Sequence, residues 1–290
     1  MSEIKVSINC LTFNHEPFIR ECLEGFVNQK TNFAFEVNIH DDASTDKTAD
    51  IIMEYQKKYP DIIKPLIQTE NQYSQGVHIN RDINFLRANG EYIAMCEGDD
   101  YWIDPYKLQK QIDFLDNNPA VGISMSLVRK YIQKSGKFLD KMEKVPYHSD
   151  GIYTTIDYLK FPFSQTSSFV FRNKAYNFPE WSRKVHAGDK TLVVLTTGNI
   201  KKIKLHFEYF SVYRVHGSSI TYRAKYDIFK KSLETHDYWH EYLGNGFPKL
   251  FIFLKFRIRM YEKASINKIN NLLLKVPIIV LNRIIRYTNK

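Results

Sequence analysis

From residue 5 to residue 128 the chain alternates apolar runs of strand length with segments of helical period, and this alternation limits the fold more than any other feature. Residues 5–11 switch between polar and apolar side chains and predict a first strand. Over 16–29, Phe18, Ile19, Cys22, Leu23, Phe26 and Val27 recur on one side of a helix. A second strand, 36–40, ends in Asp41-Asp42. Ser44, Thr45 and Asp46 then offer N-cap chemistry for a helix reaching about residue 58, with Ala49, Ile51, Ile52 and Tyr55 apolar and Pro60 beyond its end. Residues 62–68 predict a third strand, 71–78 a polar loop, and 81–88 a short helix C-capped by Asn89-Gly90. The strand at 92–95 comes next. Asp104-Pro105 opens a helix carrying Leu108, Ile112 and Leu115, and a strand follows over 121–128. Strands separated by helices in this way build an α/β fold, a mainly parallel central sheet flanked by helices.

In open α/β sheets ligands bind beyond the carboxyl ends of the strands. Three of these ends carry polar clusters: Thr12-Phe13-Asn14, Asp41-Asp42 and Glu97-Gly98-Asp99-Asp100. All three are expected on one rim. The last closes the stretch Tyr92-Ile93-Ala94-Met95-Cys96-Glu97-Gly98-Asp99-Asp100, a buried strand running into three acids. Adjacent carboxylates repel and raise each other's pKa unless a cation sits among them. Such oxygen clusters suit Mg²⁺ or Mn²⁺, which take one or two carboxylates plus substrate phosphates. Gly98 would let a ligand approach the backbone. The competing reading is a polar turn, since Gly and Asp are common turn residues. Likewise, Asp41-Asp42 can be read as dipole-matching acids before a helix, and Phe13 as ordinary packing. No P-loop or Gly-rich dinucleotide fingerprint is present, which counts against ATPase and dehydrogenase activity.

The second half is less regular. Residues 164–172 predict a strand after a polar loop. His186-Ala187-Gly188-Asp189 precedes 190–197, an apolar run of either helix or strand, for which Asp189 reads as the N-cap. Residues 204–213 form an aromatic-rich strand leading to Tyr213-Arg214-Val215-His216-Gly217-Ser218-Ser219, and a lone His216 reads first as structural. Residues 226–243 predict a connecting helix. From 249 onward, ten Lys and Arg face the single acid Glu262, with short apolar runs between them. None of those runs reaches the ~20 residues a bilayer span needs. A basic amphipathic segment on an anionic membrane surface fits better, with helices packed on the main domain as the competing reading.

The bulk numbers agree with a large globular chain. It has 290 residues, 43% of them hydrophobic, enough for a sizeable core. The 3 cysteines, Cys10, Cys22 and Cys96, have neither metal-ligand nor disulfide spacing and read as reduced core residues of a cytosolic protein. Met1-Ser2-Glu3-Ile4-Lys5 runs straight into a strand, so no signal peptide is expected. The formal net charge of +9 favours an anionic partner.

Taken together, these residues resemble the family 2 glycosyltransferases of the GT-A (nucleotide-diphospho-sugar transferase) fold, over roughly residues 5–221. The first strand with its Thr-aromatic-Asn end, Asp41-Asp42-Ala43-Ser44-Thr45-Asp46, Gly90-Glu91-Tyr92-Ile93 leading to Asp99-Asp100, Gly188-Asp189, and Tyr213-Arg214-Val215-His216 stand in the family's order. The resemblance implies that Thr12, Phe13, Asn14, Asp42, Arg81, Glu97 and Asp99 bind the nucleotide-sugar. It implies that Asp99 and Asp100, with His216, serve a Mn²⁺ or Mg²⁺ ion. It makes Asp189 the catalytic base and so overrules the cap reading. Glu97 departs from the pattern: many members have Asp two positions before the residue matching Asp99.

The reading is then an inverting, metal-dependent transferase over 1–222 with a basic amphipathic helical extension over 223–290. It would use a nucleotide-sugar, UDP-linked in first place, and a glycan or lipid-linked acceptor of surface polysaccharide. It would lie in the cytoplasm, at the inner face of the cell membrane. A non-catalytic nucleotide-sugar-binding assembly protein is the alternative, disfavoured by the full acid set. A nucleotidyltransferase would need a basic phosphate-gripping loop near the first strand, and 12–16 offers none. A nucleic-acid partner would explain the charge but not the convergent carboxylates.

Overall fold

The computed structural model describes residues 3–139, 149–160, 162–174, 177–185, 188–217 and 227–244. The chain divides into two compact units, Met1–Arg183 with Asp189–Ser219, and Lys184–Gly188 with Ile220–Lys290. In the first, β1 (Ile4–Thr12), helix α1 (Ile19–Val27), β2 (Ala34–Asp41), α2 (Thr48–Lys58) and β3 (Ile63–Ile67) follow in order. A π-helical turn, Asn80–Asn84, runs into α3 (Phe85–Arg87), and β4 (Tyr92–Met95), β5 (Tyr101–Trp102) and α4 (Lys107–Asn117) come next. The remainder is β6 (Val121–Ile132), β7 (Lys137–Leu139), β8 (Gly151–Tyr153), α5 (Thr155–Lys160), β9 (Val170–Arg172), α6 (Gly188–Thr197) and β10 (Lys202–Val215). In the second unit α7 spans Asp227–Tyr242 and buries Trp239. The basic segment 249–290 lies outside the described residues.

The sheet order is β3-β2-β1-β4-β9-β6-β10-β5, with β7 on β6 and β8 on β10. Pairing is parallel from β3 through β4 and between β6 and β10, so the first half's alternation becomes a parallel sheet. Strand β9 is antiparallel to both β4 and β6 and joins the two parallel blocks. The strand expected at 164–172 is therefore shorter than its pattern suggested. Thr166–Ser168 form a 3₁₀ turn instead, buried under Gln111 and Trp102 side chains that bond to its carbonyls. The helix expected at 81–88 opens as a π turn.

One face of the sheet packs on α1, α2 and α4. Ile19, Cys22, Leu23 and Phe26 of α1 meet Val6, Ile8 and Cys10 of β1 in one cluster. Each large aliphatic or aromatic side chain fully buried there contributes roughly 1.5–3 kcal/mol. The other face carries Ile93, Met95, Met125, Phe169 and Phe171 against Tyr158, Leu192 and Val193 of α5 and α6. The three cysteines are buried and free.

Lys107 breaks the pattern that lysines stay wet. It is fully buried, with Nζ donating to Gln111 Oε1 at 2.7 Å and lying 4.2 Å from the Trp102 ring centroid. Burial pushes its pKa down to about 7. Between about pH 7 and pH 10 the unfolded chain therefore holds a proton that the folded one has lost, and stability rises with pH across that window. Lys107→Met removes the rise. From pH 7.5 to 9.5 the wild type is expected to gain about 2 kcal/mol relative to the variant, read by urea denaturation at each pH.

Candidate active site

The three strand ends do meet. Thr12 Oγ1 closes β1 onto β2 by donating to Asp41 Oδ1 at 2.8 Å. Asp41 also takes the Ser44 amide at 3.0 Å and the Ser44 hydroxyl. Asn14 turns the chain with φ 55°, a conformation Asn tolerates. Its Oδ1 accepts the Thr45 amide at 2.8 Å, so its side-chain oxygen is spent on holding this loop. Phe13 is 45% exposed, which excludes the packing reading and leaves an aromatic face free at the rim. Asp42 receives the amides of Gln72 at 2.7 Å and Tyr73 at 3.1 Å, and thereby pins the 71–76 turn beside the strand ends.

Beyond β4 the acids follow one another. Gly98 is required here, but for a different reason from the expected one. A Cβ on it would come within 2.6 Å of Thr12 Cγ2 and 2.9 Å of His15 Nδ1, so the protein itself fills the space assigned to a ligand. Asp99 Oδ2 lies 2.9 Å from His216 Nε2 and 3.9 Å from His15 Nε2. Burial opposes ionisation of Asp99, but the His216 hydrogen bond and the two histidines outweigh it and hold the carboxyl below its usual range. Asp100 goes the other way. Burial, then the charges of Asp99 and Glu97, push it well above that range. Its Oδ1 accepts the Arg214 amide at 2.9 Å, while its buried Oδ2 has no hydrogen-bond partner. Burial and the charges of Asp99 and Asp189 raise Glu97 to about 8.

The donor set fits a divalent ion. Asp99, Asp100 and His216 offer hard oxygens and an imidazole, and the orphaned Asp100 Oδ2 is the kind of atom a cation would satisfy. Among the described residues no group of three or more His, Cys, Asp or Glu side chains is placed to hold a metal ion by itself.

Asp189 occupies the first turn of α6, one residue inside the helix rather than at its cap, and is half-buried. Its charge acts on Glu97 and on the buried Tyr158, which places it near the acids. Arg81 is not aimed at them. Its Nε and Nη2 donate to Asp82 at 2.8 and 2.9 Å, and Nη1 lies 3.5 Å from Ser182 Oγ.

Arg214 carries more of the site than its place in the sequence indicated. Nearly buried, it donates through Nε to the Asp99 carbonyl at 2.8 Å, through Nη1 to Gln133 at 2.9 Å and through Nη2 to Glu21 at 2.5 Å. It ties the acid turn to α1, β6 and β10 at once. The only sequence signal was its position two residues before His216. His15 was equally silent, and burial pushes the pKa of its ring down.

With the geometry known, comparison places the chain. The description "Glycosyl transferase family 2" matches residues 7–178, more than half of it. The chain belongs to the family 2 glycosyltransferases. Rv1520 of Mycobacterium tuberculosis, itself uncharacterized, is 40% identical over 169 residues, covering 58% of this chain and 47% of that protein. The chain spans about half the length of such curated relatives. Two solved structures share the GT-A fold at low identity. S. aureus TarS 1–349 in complex with UDP-GlcNAc has a TM-score of 0.64 at 18% identity, covering 94% of this chain and 76% of that one. The mannosyltransferase PcManGT of Pyrobaculum calidifontis, with GDP-Man and Mn²⁺, has a TM-score of 0.56 at 17% identity, covering 97% and 80%. Among the described residues no helix is long and apolar enough to cross a membrane.

Proposed function

We propose that the protein is an inverting, metal-dependent glycosyltransferase that moves a sugar from a nucleotide-sugar, UDP-linked in first place, to a hydroxyl of a glycan or lipid-linked acceptor of surface polysaccharide. The observation that carries the reading is the acid cluster: Asp99 and Asp100 with opposite pKa shifts, His216 on Asp99, and Asp189 acting on Glu97. Titratable groups driven apart by their surroundings mark sites with divided roles. The donors in the TarS and PcManGT structures support a nucleoside-diphosphate sugar, and the Mn²⁺ in the latter supports the metal.

In this reading Phe13 and Thr12 face the base, and Asp42 shapes the base side of the site through the 71–76 turn. Asn14 acts by holding the loop. Arg81, whose guanidinium pairs with Asp82, is kept as a donor residue on the family resemblance alone. Asp99, Asp100 and His216 would hold the ion, which when bound neutralises the leaving diphosphate. Glu97 binds the donor beside Asp99, its carboxyl raised above the usual range by burial and neighbouring charge. Asp189 takes the acceptor hydroxyl's proton onto its carboxylate as that oxygen attacks the anomeric carbon. Attack from the side opposite the diphosphate inverts that carbon. Residues 1–222 form the catalytic domain, and 223–290 bring it to an anionic membrane surface from the cytoplasmic side.

The test is melting of the purified protein with UDP, GDP or dTDP, each with and without Mn²⁺. A ligand bound only by the folded state at a hundred times its Kd stabilises by about 2.7 kcal/mol. A nucleotide-specific shift that needs Mn²⁺ and disappears in Asp100→Asn is expected. An equal shift in that variant would remove the metal assignment.

A further inference from the structure

The β6–β7 hairpin leaves the sheet at the rim where the acids stand. Ile132 pairs with Val215, the Gln133 amide donates to the Val215 carbonyl at 3.0 Å, and the next residue, His216, is the one on Asp99. The chain turns back at Gly136, whose φ of 63° suits a glycine, and β7 pairs Lys137 with Ile132, Phe138 with Tyr131 and Leu139 with Lys130. Lys130 and Lys137 therefore share a face, roughly 7 Å apart on the diagonal of the ladder.

Every residue from 133 to 139 is exposed. From 117 to 139 there is no Asp or Glu, whereas Arg129, Lys130, Lys134 and Lys137 fall in that span. Among the described residues Lys130, Lys134 and Lys137 form no ion pair. Rings stiffen the base of the arm. The Arg129 guanidinium lies 4.2 Å from the Phe138 centroid, Tyr131 and Phe138 are 5.0 Å apart, and Lys130 Nζ lies 5.9 Å from the Tyr213 centroid. Cations without an ion-pair partner favour a polyanion, because no internal salt bridge has to be broken on binding. Among the described residues of the hairpin the exposed large apolar side chains are Phe138 and Leu139, at 39% and 38%, too little for a wedge into lipid.

We propose that this hairpin holds the acceptor, and that the acceptor is a chain bearing phosphate groups, gripped by Lys130, Lys134 and Lys137 with its free end at the acid rim. The proposal rests on the transferase reading above and adds the acceptor's chemistry to it.

The test compares the 290-residue chain with Lys130→Glu/Lys134→Glu/Lys137→Glu and with Lys47→Glu/Lys57→Glu/Lys58→Glu, which changes net charge equally at the two ends of α2. The probe is labelled inorganic polyphosphate, followed by anisotropy at two salt concentrations. The hairpin variant is expected to bind at least tenfold more weakly, with a salt slope smaller by roughly 2. The α2 variant should bind like wild type. Phosphatidylglycerol vesicles should bind all three proteins alike. Equal polyphosphate affinity in wild type and the hairpin variant overturns the proposal. So does equal loss in both variants, which would make net charge the cause. Loss of vesicle binding alone in the hairpin variant overturns it in favour of a membrane contact. The UDP-induced melting shift is read on the same samples. Its absence in wild type would strike the transferase reading, while the polyphosphate result would still decide whether the arm binds phosphate.

Discussion

Asp189→Asn is expected to leave a protein that binds its nucleotide normally and transfers sugar about a thousandfold more slowly. A sugar hydroxyl is a poor nucleophile, and a positioned carboxylate that removes its proton supplies 10²–10⁴-fold. Asparagine keeps the shape and loses the base. The fold should survive, since Asp189 sits half-buried in the first turn of α6 and the substitution forfeits only the favourable charge at a helix N-terminus, about 0.3–1 kcal/mol. The proposed donor residues lie at the ends of β1, β2 and β4, so the nucleotide-induced melting shift should match wild type. This separation is what identifies a base: kcat falls while donor affinity stands. Transfer at the wild-type rate would remove Asp189 from that role. Loss of the melting shift together with activity would make it a binding or structural residue instead.

Much of this was legible in the sequence because it is local. Each strand and helix of the first half is written in a period of 2 or 3.6, and each acid cluster is contiguous, so the topology of a parallel sheet brought Thr12, Asp42 and Asp99 to one rim without further information. What stayed hidden depends on partners far away in the chain. Arg214 meets Glu21 193 positions away, and nothing in the 213–216 motif names that carboxylate. Lys107 sits at a helical position that amphipathic reading assigns to solvent, yet Trp102 and Gln111 enclose it. Glu36 looked like an unremarkable strand residue. In the fold it is a buried hub taking the Ser7 hydroxyl at 2.7 Å and the Asn89 amide at 2.9 Å, and those bonds hold its carboxyl low against the cost of burial. Asn89-Gly90 is the sharpest case. The pair reads as a helix C-cap, but Gly90 does not have positive φ, and the extended residue closing α3 is Ala88.

Gly90 is a glycine because β1 passes against it, and Gly90→Ala is expected to cost about 3 kcal/mol or more. A Cβ there would lie 2.5 Å from the Ser7 amide nitrogen, 2.7 Å from the Val6 carbonyl carbon and 2.9 Å from Val6 Cα. All three are backbone atoms, so no rotamer change relieves the clash. Overpacking in a core ordinarily costs 1–3 kcal/mol, and here the strand itself must yield. Moving it pulls Gly90 N away from Ser7 Oγ, now at 2.8 Å, and Ser7 away from Glu36, leaving a buried carboxylate short of donors. It also strains the four-rung ladder from Val6↔Tyr92 to Asn9↔Met95, whose end aims the acids. Gly188→Ala is the matched control. No atom lies within 4 Å of a Cβ at that position, so its effect should stay within about 1 kcal/mol. Urea denaturation of both variants measures the difference. If Gly90→Ala unfolds at the wild-type midpoint, β1 and β4 are further apart at this end than the structure places them, and the link from Glu36 through Ser7 to the acid-bearing strand does not hold.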